Sequence, residues 1–158
     1  MKTKLMKMTA SCLAFASALG CVVAAMMLGT LGTAHAGNDV LASCDAHTLR
    51  GSYVFTAHGW NIVGGVAQPK AIVEGIDFNA DGTLVSPYAT VSINGTIIRS
   101  SNTQGSYTLS ADCTGTVSFT GGASFDMSVD KKGDQLWMIQ AGGALPAVFE
   151  GTATRVAH

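Results

Sequence analysis

After Gly37 no stretch carries the three-to-four-residue apolar spacing of a helix, whereas alternation with a period of two recurs along the chain. Tyr53, Phe55 and Ala57 alternate with Ser52, Val54 and Thr56. Ile72, Ile76 and Phe78 share a face and lead into the turn Asn79-Ala80-Asp81-Gly82. A β-branched run over 83–93 ends at Asn94-Gly95, the strongest two-residue hairpin signal, and Thr96 to Arg99 returns from it. Tyr107 and Leu109 form one pair of alternate positions, and Val117 and Phe119 another. After Gly121-Gly122, residues Ala123, Phe125, Met127 and Val129 face one side, with Asp126 and Ser128 on the other. The polar turn Lys131 to Asp134 enters a strand over Leu136 to Gln140, and a last strand covers about Ala147 to Val156. Trp60 to Lys70, with its Gly64-Gly65 pair, reads as the longest irregular loop, placed at a rim.

Eight or nine short strands with local connections must close or stack to remove their edges. The expected fold is all-β, an antiparallel up-and-down β-barrel of about eight strands; a two-sheet β-sandwich is the alternative.

The N-terminus has a different pattern. Lys2, Lys4 and Lys7 precede an almost wholly apolar or small stretch from Leu13 to Leu31, followed by Ala34-His35-Ala36. That order is a secretory signal peptide over 1–36 with cleavage after Ala36, leaving 37–158 as one β domain. An uncleaved anchor is the alternative, since the run is long enough to span a bilayer. A lipoprotein signal around Cys21 fits less well: Leu19 is one place off the usual pattern, and the apolar run continues beyond the cysteine. The expected location is secreted or periplasmic, with no membrane attachment after cleavage.

Composition now changes the picture. Without residues 1–36 the 158-residue chain retains 122 residues, all 10 acids but six bases, and a net charge of −4. Such a domain lacks the basic footprint of a nucleic-acid binder. It keeps two cysteines, Cys44 and Cys113, and export favours a disulfide between them. A metal site is the alternative, but only His47 stands near Cys44 and nothing stands at metal spacing from Cys113. No metal and no cofactor is expected.

Several segments carry a family resemblance. Leu49-Arg50-Gly51-Ser52-Tyr53, Gly75 to Gly82, Gly105-Ser106-Tyr107-Thr108-Leu109, Ala111 to Gly115, and Gly151 to Arg155 form a pattern similar to small exported bacterial proteins. These resemble the allene-oxide-cyclase-like, calycin-type β-barrels over nearly the whole domain. The resemblance implies a barrel and a possible cyclase activity. Its motifs are turns and strands, so no active-site residue is carried over.

Candidate chemistry is sparse. Asp77-x-Asn79-x-Asp81-Gly82 matches the start of a calcium loop, but Tyr88 stands where the bidentate Glu belongs and the flanks read as strands, which favours a turn. Glu74 shares the face of Ile72, Ile76 and Phe78, so it points inward unless the strand bulges at Gly75 and moves it to the rim. An inward carboxylate needs a cation or hydrogen-bond donors, and Arg99 is the expected partner. His58, next to Gly59-Trp60, is the better acid/base candidate of the two histidines His47 and His58. There is no G-x-S-x-G elbow and no H-E-x-x-H. The expected ligand site is therefore Glu74, Arg99, Tyr53, Phe55, His58 and Phe78. Its expected occupant is a small, mostly apolar molecule inside the barrel. A cyclase or isomerase acting in that cavity, and a structural or interaction protein of the cell envelope, are the competing readings.

Overall fold

The computed structural model describes residues 43–156, so the signal segment and its cleavage site lie outside the described residues. A one-turn helix, η1 (Ala46–Leu49), leads into β1 (Gly51–Val63), β2 (Val66–Phe78), β3 (Thr83–Ile93), β4 (Thr96–Ser100) and β5 (Thr103–Leu109). Strands β6 (Thr114–Phe119), β7 (Ser124–Val129), β8 (Gln135–Gly142) and β9 (Ala147–Arg155) follow. All pairings are antiparallel, and β9 returns to β1 while β2 pairs β3. The result is a closed eight-strand barrel with β4 added, as the alternation implied; the sandwich alternative is excluded by that closure.

The ninth strand has a simple origin. Ser86 pairs Thr103 and Ala89 pairs Ser100, three residues apart on both sides, so register is unchanged across the interval. Strands β4 and β5 are one long return strand interrupted at Ser101–Asn102, where Asn102 adopts a left-handed conformation (φ 54°). Only β5 reaches β6, so β4 continues past the barrel wall.

Trp60 to Lys70 is not an irregular loop. β1 and β2 pair without a break from Gly51↔Phe78 to Val63↔Val66, joined by Gly64 and Gly65 alone. Both glycines have positive φ (58° and 82°), the geometry of a two-residue hairpin turn. The glycines mark a tight reversal between β-branched residues rather than slack chain.

One end of the barrel is sealed. Leu49 of η1 is wholly buried, and a disulfide joins Cys44 to Cys113 with Cα atoms 5.0 Å apart. Asp45 caps η1 through the amides of His47 and Thr48. The Tyr107 hydroxyl shares its one proton between the carbonyls of Ala46 (2.8 Å) and Asn79, and Tyr53 donates to that of Gly133. Arg155 donates to the carbonyls of Thr48 (2.8 Å) and Gly133 (2.9 Å), tying the N-terminal plug to the turn between β7 and β8.

The middle is packed with rings. Phe55 and Phe125, from nearly opposite strands, lie edge to face at 5.7 Å, and Phe125 also meets Phe119 and Phe149. Lower down, Phe78 bridges Tyr53 (5.2 Å) and Tyr107 (5.0 Å). Ile76, Leu84, Val117 and Leu136 are fully buried among them. A barrel of eight strands is just wide enough for side chains to fill, and here they fill it.

Candidate functional site

The mouth is the end opposite the plug, ringed by the turns 120–123 and 143–146 and by the β1–β2 and β3–β4 hairpins. Period two places Lys70, Ile72, Glu74, Ile76 and Phe78 on the inner face of β2. A bulge does occur between Gly75 and Asp77, but the extra residue is on β3, around Pro87. The alternation of β2 is therefore intact, and Glu74 stays inward at 6% exposure, between Phe55 of β1 and Ala89 of β3. Outside, Tyr88 lies over Gly75, where a Cβ would come within 2.6 Å of the ring.

Burial pushes the Glu74 carboxyl above its ordinary value, opposed by a hydrogen bond from Ser86 and by the charge of Lys70. The Ser86 oxygen also lies 3.3 Å from the Tyr88 carbonyl, so its one proton is shared between that carbonyl and Glu74. Lys70 is lowered by burial and raised by Glu74. Its ammonium stands 4.0 Å above the Phe149 ring and donates to the Gln140 side-chain oxygen at 3.3 Å. Gly59 is held to glycine by the neighbouring strand. It lies between Lys70 and Phe149 in the inward row, and a side chain there would strike the Val148 carbonyl at 2.0 Å.

Above these groups lies a depression of about 190 Å³ bounded by Asn61, Lys70, Ala123, Gln140, Gly143 and Leu145. Asn61 is buried at 6% exposure. The amides of Asn61 and Gln140 and the Lys70 ammonium supply donors in one small volume, beside Ala123 and Leu145. A larger hollow of about 550 Å³ lies outside the sealed end, along Arg50, Ser52, Asp77 and Asp81. Its acidic groups are engaged: Asp77 accepts from Ser52 at 2.5 Å, and Asp81 accepts from the Thr83 amide and hydroxyl. Asn79 to Gly82 is thus a hydrogen-bonded turn closing onto Thr83, with Asn79 donating to the Thr83 hydroxyl.

The six expected site residues do not converge. Arg99 sits on the outer face of exposed β4, opposite Thr90, and is not the partner of Glu74. The β3–β4 register turns Ile98 inward and Ile97 with Arg99 outward, which two consecutive isoleucines left undecided in the sequence. The cation that Glu74 senses is Lys70. His58 is also outward, with a side chain 78% exposed and 4.0 Å from Glu150. Tyr53 belongs to the sealed end, and its hydroxyl is pushed up to about 12 by burial, against the pull of Arg155. Phe55 and Phe78 fill the interior rather than lining a space. Lys70, Asn61 and Gln140 do not stand out in the sequence; the first two lie in the segment that reads as a loop, where alternation carries no signal.

Not all aromatics are core. Trp60 and Trp137 are about half exposed on the outer face, with Ile139 and Val148 between them on β8 and β9. No described helix is long and apolar enough to cross a membrane. Compared with known proteins, the chain matches no family model, no curated protein and no solved structure.

Proposed function

We propose that this is an exported binding protein whose small, mostly apolar ligand seats at the barrel mouth rather than inside the barrel. The observation that carries this reading is the inward Lys70, held over Phe149 and against Gln140 at the floor of the 190 Å³ depression. A partly desolvated ammonium is costly to keep unless it meets an acceptor. A ligand offering one acceptor group to Lys70, Asn61 and Gln140, and an apolar body to the surrounding rim, meets the chemistry of the mouth. The Cys44–Cys113 bridge supports export, as does the signal-like N-terminus. Kinship with the allene-oxide-cyclase-like barrels is part of the same proposal and rests on the turn and strand motifs alone, since fold does not fix function. The cyclase or isomerase reading gains little: the Tyr53 and Tyr107 hydroxyls are committed to carbonyls at the sealed end, far along the barrel from Lys70.

Titration with anilinonaphthalene sulfonate, an apolar fluorophore with one anionic head, tests the proposal. Saturable binding that weakens at least tenfold in Lys70→Met is expected; equal binding by both proteins would refute a site at Lys70. A second reading, an interaction protein of the envelope, is favoured by two observations. The interior is filled, and Trp60, Trp137, Ile139 and Val148 form an exposed apolar ridge on one face. Loss of partner capture in Trp137→Ser, with fluorophore binding intact, would favour it.

A further inference from the structure

The strand β4 has one bonded edge and one free edge. Every residue from Thr96 to Ser100 is exposed, and its only strand partner among the described residues is β3. The hairpin turn fixes which backbone groups are free. Asn94 (φ 48°) and Gly95 (φ 85°) form a two-residue turn closed by the pair Ile93↔Thr96. In such a turn the closing pair is hydrogen-bonded, and bonded and non-bonded pairs then alternate. Thr96, Ile98 and Ser100 therefore bond to β3, while the amides and carbonyls of Ile97 and Arg99 point away from it. The Asn94 amide bonds the Pro69 carbonyl at 2.8 Å on the other side of β3, which agrees with this phase.

An exposed, apolar edge is what natural sheets normally blunt with charge, proline or a covering segment. This one carries Ile97 and Ile98, each about half exposed, and a single charge, Arg99. We propose that the free edge of β4 pairs antiparallel with β4 of a second copy, about a twofold axis through Ile98. In that register Ile97 lies opposite the partner's Arg99, and Arg99 opposite the partner's Ile97. The two amides and two carbonyls left free on each strand are all bonded, giving four new hydrogen bonds. No like charges oppose each other, because Arg99 never meets its own copy. The two Ile98 side chains meet at the axis on the inner face, and each Ile97 covers the aliphatic stem of an arginine on the outer face. This self-complementarity singles out a second copy over a foreign peptide: an isologous contact requires one patch to fit itself.

Sedimentation equilibrium on the purified protein from about 10 μM to 1 mM, by the general scale of weak association, reads the dimer directly. Three variants at one position then read the register. Ile97→Pro removes one outward N–H without touching the β3 ladder, and at least tenfold weaker dimerisation is expected with an unchanged far-ultraviolet spectrum. Ile97→Arg sets two arginines against each other twice and weakens the dimer further. Ile97→Glu sets a carboxylate opposite each Arg99 and tightens it. Wild type that stays monomeric at the highest concentration, or arginine and glutamate variants that dimerise equally well, would overturn the proposal. None of these residues touches the mouth groups, so fluorophore binding at Lys70 reports separately on the proposed function.

Discussion

The two ends of the barrel use polar groups in opposite ways. At the sealed end each one is spent on structure. Tyr53, Tyr107 and Arg155 all donate to backbone carbonyls of the plug and the turns, and the disulfide fixes the plug covalently. At the mouth Lys70 has a ring and a single amide oxygen, and Glu74 has one shared hydroxyl. Neither ion pair among the described residues involves them: His58 pairs Glu150 and Arg155 pairs Asp134. Lys70 and Glu74 thus act on each other through the interior without direct contact. Polar groups placed for stability are saturated, whereas those at the mouth keep capacity for an added partner.

Mutations should separate the two ends by size and sign. The largest effect is expected from the paired change Cys44→Ser and Cys113→Ser. The bridge spans 69 residues, and losing a loop of that length costs about 4 kcal/mol in the chain-entropy model, measurable as a lower urea midpoint. Leu49→Ala, within the plug, should cost about 2–5 kcal/mol as a buried large-to-small change. Retention of the wild-type midpoint in either variant would mean that the plug is not a structural element.

At the mouth the expected stability effect is small, and its sign differs. Burial lowers the Lys70 pKa, so charging this residue opposes folding at neutral pH. Lys70 is only partly buried and solvent screens much of this cost, so Lys70→Met should lie within about 1 kcal/mol of wild type, on the stable side, while fluorophore affinity falls. A loss comparable to that of Leu49→Ala would place Lys70 with the structural groups.

Glu74 gives the smallest and most specific signal. Its folded pKa is raised above the ordinary 4.5, so in the interval above 4.5 the folded protein holds a proton that the unfolded chain has released. The stability contributed by the protonated group is full below 4.5, declines as pH rises through that interval and is lost above the folded pKa. Subtracting the pH profile of Glu74→Gln from that of wild type should leave this falling segment. A flat difference, or one that rises with pH, would show that burial does not govern Glu74.

The architecture was legible because strand alternation and turn chemistry agree in most of the chain. Asn94-Gly95 adopts the left-handed turn its residue types demand, and Phe125, Met127 and Val129 all face inward as their spacing requires. Glu74 was legible for the same reason. Lys70 was hidden because Gly64-Gly65 looked like slack chain, and an alternation cannot be counted through a segment read as loop. Arg99 was misplaced because Ile97 and Ile98 are equally apolar, leaving the face of β4 to be decided by hairpin register. Whether the interior is open or filled lies beyond alternation altogether. That depends on whether rings from opposite strands meet, as Phe55 and Phe125 do at 5.7 Å.

Binding at the mouth is tested most directly by titrating isotopically labelled protein with anilinonaphthalene sulfonate and mapping which backbone amides shift. Shifts centred on Asn61, Lys70, Gln140 and Gly143, and abolished by Lys70→Met, are expected. Shifts confined to the outer ridge around Trp60 and Trp137, or to the sealed end around Tyr53 and Leu49, would contradict a mouth site.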